Sequence, residues 1–211
     1  MHKTFISYHH SGEQKLKDEL VNTAESKDYF IDKSVSDGDI DTNLSEDTIM
    51  SKIRTDFIKD ASVIVVLVGE QTASRPYVNS EIQAGLWGNN AVGILDVVRD
   101  DLFDRIYKKT LCTAPECNCG VELKTPTPLL KEKIPFLVRE NNLRLENEKS
   151  TYPHYKDSEA YCGIYRYSTF INDIEKYIDE AFEKRSKVFD IKKKNDPSIK
   201  TISRPFGVKL S

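Results

Sequence analysis

The chain has few cysteines, and all lie in its second half: Cys112, Cys117, Cys119 and Cys162 are the only four in 211 residues. So small a number over that length argues against a disulfide scaffold. No stretch approaches the roughly 18 consecutive apolar residues of a membrane span, so no membrane partner is expected. The first residues contain no apolar segment of the signal-peptide kind, and a reducing, cytoplasmic setting is the expectation. There are no internal repeats. No glycine-rich phosphate loop follows Gly69, and no Gly-x-Ser-x-Gly elbow occurs.

What is present is an ordinary globular composition, 38% hydrophobic and 31% charged, with a net charge of −3. The charge is uneven. Residues 183–211 carry nine Lys or Arg against three acids, so the remainder is strongly acidic. That basic segment lacks the interleaved aromatics on which bases stack, so it reads as a solvated tail and not as a nucleic-acid arm. It is expected to be poorly ordered unless docked. The length suits a single domain over residues 1–182, with a core in 1–100, an elaboration and final helix in 101–182, and the tail in 183–211.

Hydrophobic periodicity orders the first hundred residues as β-α-β-α-β-α-β. Residues 3–8 form an apolar run at the start. Ser11 followed by Gln14 fits a capping box, and Leu16, Leu20 and Ala24 continue as one helical face. Residues 29–31 read as a second strand, followed by a polar loop over residues 33–44 around Asp37-Gly38. Ser45 can cap a helix whose apolar stripe is Ile49, Ile53 and Phe57. Residues 63–68 are unbroken Val, Ile and Leu, the mark of a strand covered on both faces. Ser74 and Pro76 open a third helix with Val78, Ile82 and Leu86 inward, and residues 93–98 form a fourth strand. Right-handed crossovers make this a flavodoxin-like doubly wound parallel sheet in the order 2-1-3-4. Beyond Asp100 the pattern weakens. A fifth strand is assigned to residues 134–138, and a final helix to residues 169–182 with Ile174, Ile178 and Phe182 inward.

Ligands of such sheets bind at the carboxyl ends of the strands, beside the switch in strand order. Here the switch lies between strands one and three, where the chain supplies Ser7, Tyr8, His9 and His10 on one side and Gly69 and Glu70 on the other. Glu81 sits on the third helix, and Tyr77, four residues earlier, shares its face. Spacing alone leaves Glu81 open to two readings, a surface carboxylate on a solvated helix or a half-desolvated one aimed into the crevice.

The run Phe5-Ile6-Ser7-Tyr8-His9-His10, the segment Phe30-Ile31-Asp32-Lys33-Ser34-Val35 and Gly38-Asp39-Ile40 together resemble the TIR-like proteins of the bacterial Thoeris anti-phage system. In Tyr77-Val78-Asn79-Ser80-Glu81 the aromatic and the glutamate of TIR enzymes are kept, while the Trp-Cys pair common in them is absent. The resemblance covers residues 1–98. It implies an enzyme that cleaves NAD as a substrate, needs no cofactor, and has Glu81 as catalytic carboxylate with Phe5, Ser7, Tyr8 and Tyr77 around the substrate. It further implies release of nicotinamide and of an ADP-ribose product, expected to be cyclic, that a separate effector reads. Residues 33–44 match the family's loop that covers the site or mediates self-association. The alternative is a TIR-type interaction module without catalysis. A receiver domain fits poorly, because Ser7-Tyr8 and Gly69 stand where it needs acidic residues.

Two segments resemble metal sites. Asp37, Asp39 and Asp41 imitate a calcium loop, but Thr42 and Thr48 occupy the positions that need Gly and Glu. Cys112, Cys117 and Cys119 with Cys162 or His154 could hold zinc, but the C-x4-C-x-C spacing is irregular, and the cysteines are expected to be metal-free loop thiols.

Overall fold

The computed structural model describes residues 2–24, 30–31, 41, 43–115, 117, 119–143 and 154–202. Its centre is a parallel sheet of β1 (Thr4–Ser7), β2 (Phe30–Ile31), β3 (Val63–Val68), β4 (Gly93–Val98) and a late strand, Gly163–Arg166. Between β4 and that strand lies an antiparallel hairpin, β5 (Tyr107–Leu111) and β6 (Glu122–Pro126), which makes the late strand β7. The sheet order is β2-β1-β3-β4-β7. The doubly wound α/β fold and its 2-1-3-4 order are therefore present, and a fifth parallel strand is added at the β4 edge.

Every side chain of β1, β3 and β4 is buried, as strands covered on both faces require. One face is covered by α1 (His10–Ala24), α7 (Tyr167–Ile171) and α8 (Ile174–Glu183), packing on Ile6, Val65, Leu67, Leu95 and Val97. The other face carries Phe5, Ile64, Val66, Ile94 and Val98. It lies under α2 (Glu46–Lys52), α3 (Pro76–Leu86), α4 (Asp100–Ile106), α5 (Leu130–Lys133) and α6 (Phe136–Glu140).

Ser45 caps α2, accepting from the Thr48 backbone N–H at 3.3 Å. The helix then widens into a π turn over Ile53–Phe57. That turn sends Arg54 to the carbonyl oxygens of Ala84 and Gly85, both at 3.1 Å, and of Trp87 at 2.8 Å. A guanidinium on the orphan carbonyls of α3 satisfies them and complements the negative end of the helix dipole. It also fixes α3 against the sheet.

Several expectations are corrected. Helix one begins at His10, with the His9 carbonyl accepting from Gly12 and Glu13, so Ser11 lies inside the first turn and is not the cap. Its buried face is Glu13, Lys17, Leu20 and Ala24, with Leu16 only half-buried. Helix three is buried over all of residues 78–86, not along one stripe, because chain segments cover it on every side. Residues 134–138 are not a strand. Pro135 stands at the N-cap of α6, where its missing N–H costs nothing, and Leu137 and Val138 are buried from a helix. The fifth strand is β7, four residues long, in register with β4 from Leu95↔Gly163 to Val98↔Arg166. The final helix is two, α7 and α8, broken at Asn172-Asp173.

The segment after α8 does not stand free over residues 187–202. Phe189, Ile191 and Ile202 pack against the core. Asn195 meets Gln83 Oε1 through its backbone N–H at 2.9 Å and its side-chain amide at 3.0 Å. The Ile202 N–H donates to Ser80 Oγ at 2.7 Å. Among the basic residues between these anchors, Lys192, Lys194 and Lys200 are exposed and Lys193 donates to the Gly88 carbonyl, so a lysine-rich composition and a docked path coexist. No helix among the described residues is long and apolar enough to cross a membrane.

Candidate active site

The register Ser7↔Val66↔Asp96↔Ile164 runs straight across the sheet. In a parallel sheet such a row points to one face. Ser7 therefore faces α3 together with Phe5, two residues earlier. Ser7 Oγ donates to Glu81 Oε2 at 2.6 Å, and both residues are buried. That distance is usual for a hydroxyl held by a carboxylate. Glu81 is reached this way because α3 crosses the end of β1 with its middle turn, and Arg54 holds the helix there. Tyr77 lies one turn earlier, half-buried against the same core.

Tyr8 is not beside them. Alternation along β1 sends its side chain to the α1–α8 face, where it packs with Ile6 and Leu20. Its hydroxyl donates to Gln14 Oε1 at 3.0 Å and lies 2.9 Å from His10 Nδ1. The structure thus joins Ser7 to Glu81, with Phe5 and Tyr77 in the core on the same face of the sheet, and places Tyr8 on the opposite side. Of the loop over residues 33–44, only Asp41, Asn43 and Leu44 fall among the described residues. The rest of the expected lid and self-association loop, with Asp37 and Asp39 of the aspartate cluster, lies outside them.

A second carboxylate stands at the same switch point. Glu13, buried on the first turn of α1, accepts from Thr72 Oγ1 at 3.1 Å. Gly69, just after β3, lies directly against it: a Cβ there would lie 1.8 Å from Glu13 Oε1, so any larger residue would push the Glu13 carboxylate from its place. Burial raises the Glu13 carboxyl above its usual range, against the opposing pull of Thr72. His9 Nδ1 is 3.9 Å from Glu13 Oε2. Burial and the nearby Arg75 hold that imidazole below its usual range, which favours its uncharged form, so the contact is not an ion pair at neutral pH. These residues open onto a cleft of about 360 Å³ that is also lined by Arg75, Arg99 and Glu70. Glu70 is tied down by Lys133 at 2.8 Å and by Arg105, and its carboxyl is held below the usual range by them. The sequence reading missed Glu13, Arg75 and Arg99. The available signal was the small residue at Gly69, which leaves room for one neighbour, and an acid in the first turn of the helix on the same face as Leu20 and Ala24.

Sheet order, crossover pattern and a carboxylate on the third helix beside the end of β1 define a TIR-type α/β domain. Residues 5–102 match the family described as Thoeris protein ThsB, TIR-like domain. A search of curated proteins found no match to the chain.

Proposed function

We propose that the chain is an NAD-cleaving enzyme of anti-phage defence, with Glu81 as the carboxylate that stabilises the departing ribosyl cation. The observation that supports this reading most is the buried Ser7–Glu81 pair at the carboxyl end of β1, inside the segment that matches the TIR-like family. The chemistry suits a single carboxylate. Nicotinamide leaves as a neutral group from a cationic bond, so no general acid is required. The ribose carbon left behind approaches an oxocarbenium ion, which a fixed negative charge in a dry site stabilises. Ser7 would act as a positioning residue that fixes Oε2 of Glu81. Water captures the cation to give linear ADP-ribose, or a hydroxyl of the same molecule captures it to give a cyclic isomer one water lighter. We favour the cyclic isomer, released as a messenger to a separate effector.

A non-catalytic interaction module is the second reading, and two observations favour it. Glu81 is only 1% exposed, and Tyr8 turns away from it. Substitution separates the two. Purified protein, and extracts of phage-infected cells producing it, are incubated with NAD and analysed by mass spectrometry. Glu81→Gln should lower NAD consumption by about 10²-fold or more, as loss of a charge-stabilising group does. Glu13→Gln, made in parallel, should stay within a few-fold of the parent. Undiminished turnover by Glu81→Gln overturns the assignment, and a larger loss in Glu13→Gln moves it to the other cleft.

A further inference from the structure

We propose that Cys112, Cys117, Cys119 and His154 form a closed structural site for one zinc ion. Their ligand atoms, three sulfurs and one imidazole nitrogen, all lie within 4.8 Å of one another. Cys117 Sγ and Cys119 Sγ stand 3.5 and 3.3 Å from the same atom, His154 Nε2. A tetrahedral zinc ion, about 2.3 Å from sulfur and about 2.0 Å from nitrogen, sets its ligand atoms roughly 3.5–3.8 Å apart. Hydrogen bonding explains the arrangement less well, since Nε2 offers a single in-plane direction and two sulfurs converge on it. Three thiolates with one imidazole are a donor set that zinc prefers, and four protein ligands leave no open position for catalysis.

The irregular C-x4-C-x-C spacing has a local cause. Cys112 ends β5 and its N–H donates to the Val121 carbonyl at 2.9 Å. The loop then turns back, with the Cys117 N–H on the Ala114 carbonyl at 3.0 Å, and Gly120 follows Cys119 at φ +63°, where other residues are strained. The fourth ligand comes from a distant stretch, so no local motif is complete. Cys162, the other cysteine, is buried in the core next to β7 and takes no part. What the ion would do follows from the hairpin it closes. Leu111 is 64% and Val121 49% exposed, and an isolated two-stranded hairpin is marginal in water. On binding, the three thiols lose their protons and the metal's binding energy becomes folding energy for the hairpin tip and the chain at His154.

The test uses the full chain. Protein purified without chelator, loaded with zinc and desalted should carry about one zinc per chain by elemental analysis, and Cys117→Ser/Cys119→Ser less than about a tenth of that. To keep the test independent of misfolding of the double variant, the parent protein is also stripped and titrated with cobalt. Thiolate-to-cobalt charge transfer with intense tetrahedral bands, saturating at one ion per chain and reversed by zinc, supports the site. A parent protein that holds no zinc, a double variant that holds as much, a metal other than zinc at stoichiometry, or a weak octahedral cobalt spectrum each overturns it.

Discussion

Strand β3 buries all six of its side chains, whereas the β5–β6 hairpin buries only Tyr107 along its two strands. The contrast extends to the segments around them. Residues before 100 cohere through continuous apolar faces above and below one sheet. Residues after 100 add apolar side chains to both faces, but they are also joined by polar side chains clamped onto backbone. Asn141 binds residues 137 and 192, Lys124 binds the Ile164 carbonyl, Lys184 binds the Asp157 carbonyl, and the buried Tyr161 hydroxyl binds the Val92 carbonyl. Apolar burial is non-directional and tolerates a poor fit, while each clamp works only at one geometry. The elaboration should therefore loosen piecewise and the sheet all at once.

The largest expected departure lies inside the apolar half. Asp96 on β4 is fully buried, and neither carboxyl oxygen has a hydrogen-bond partner among the described residues. Burial holds its carboxyl well above the ordinary value of 3.8. Below that value both the folded and the unfolded chain carry the proton. As pH rises past it, the unfolded chain ionises first, so the folded state loses relative stability until Asp96 itself titrates. Asp96→Asn keeps the shape and cannot ionise. Its stability relative to the parent should rise between pH 5 and pH 7 by up to about 1.4 kcal/mol per pH unit, read from denaturant unfolding. A difference that does not change with pH would mean the carboxylate is charged and paired in solution, and the apolar half would then contain a clamp of its own.

Next in size is Asn141→Ala. The side chain of this buried residue donates to the Leu137 and Lys192 carbonyls and accepts from the Lys192 N–H, all at 2.8 Å. Truncation leaves both Lys192 groups unpaired. The cost should be about 2–3 kcal/mol, with cleavage after α8 by added protease appearing before global unfolding. Loss of stability without early cleavage would show that the tail is held by its apolar anchors and not by the clamp.

The same contrast governs what could be read in the sequence. Val63–Val68 and Gly93–Val98 announce themselves because a strand buried on both faces is an apolar run, and Ser45 and Pro76 mark helix starts through their own backbone chemistry. Strand β7, Gly-Ile-Tyr-Arg, is invisible because its identity lies in the β4 edge it pairs with. Pro135 misled in the opposite sense, since Ile, Phe, Leu and Val around it look like a strand until the proline is placed at a helix start. At the candidate site, Glu81 was reached through resemblance, while its partner Ser7 follows from register. Tyr8 was assigned to the pocket through the resemblance, and the two-residue alternation of a strand sends it to the other side. Glu13 and the Cys112, Cys117, Cys119 and His154 cluster depend on contacts between segments far apart in the chain.

The smallest expected effect concerns the hairpin. Lys109 Nζ and Glu122 Oε1 lie 2.9 Å apart across the ladder, yet the two side chains are 78% and 59% exposed. In that setting Coulomb attraction is screened by water, and ordering two long side chains offsets most of what remains. Lys109→Ala should change unfolding stability by no more than about 0.5 kcal/mol, with no added salt dependence. Lys124, on the partner strand, is placed differently. Its ammonium reaches Asp157 at 2.5 Å and the Ile164 carbonyl at 2.7 Å while lying over the Tyr107 ring. If the hairpin is held at its base by Lys124 and at its tip by the cysteines, cutting the exposed pair between these points removes nothing that orders it. A loss above about 1 kcal/mol in Lys109→Ala would instead mean that the ladder is a cooperative unit, because a pair worth so little by itself can cost that much only by releasing neighbours.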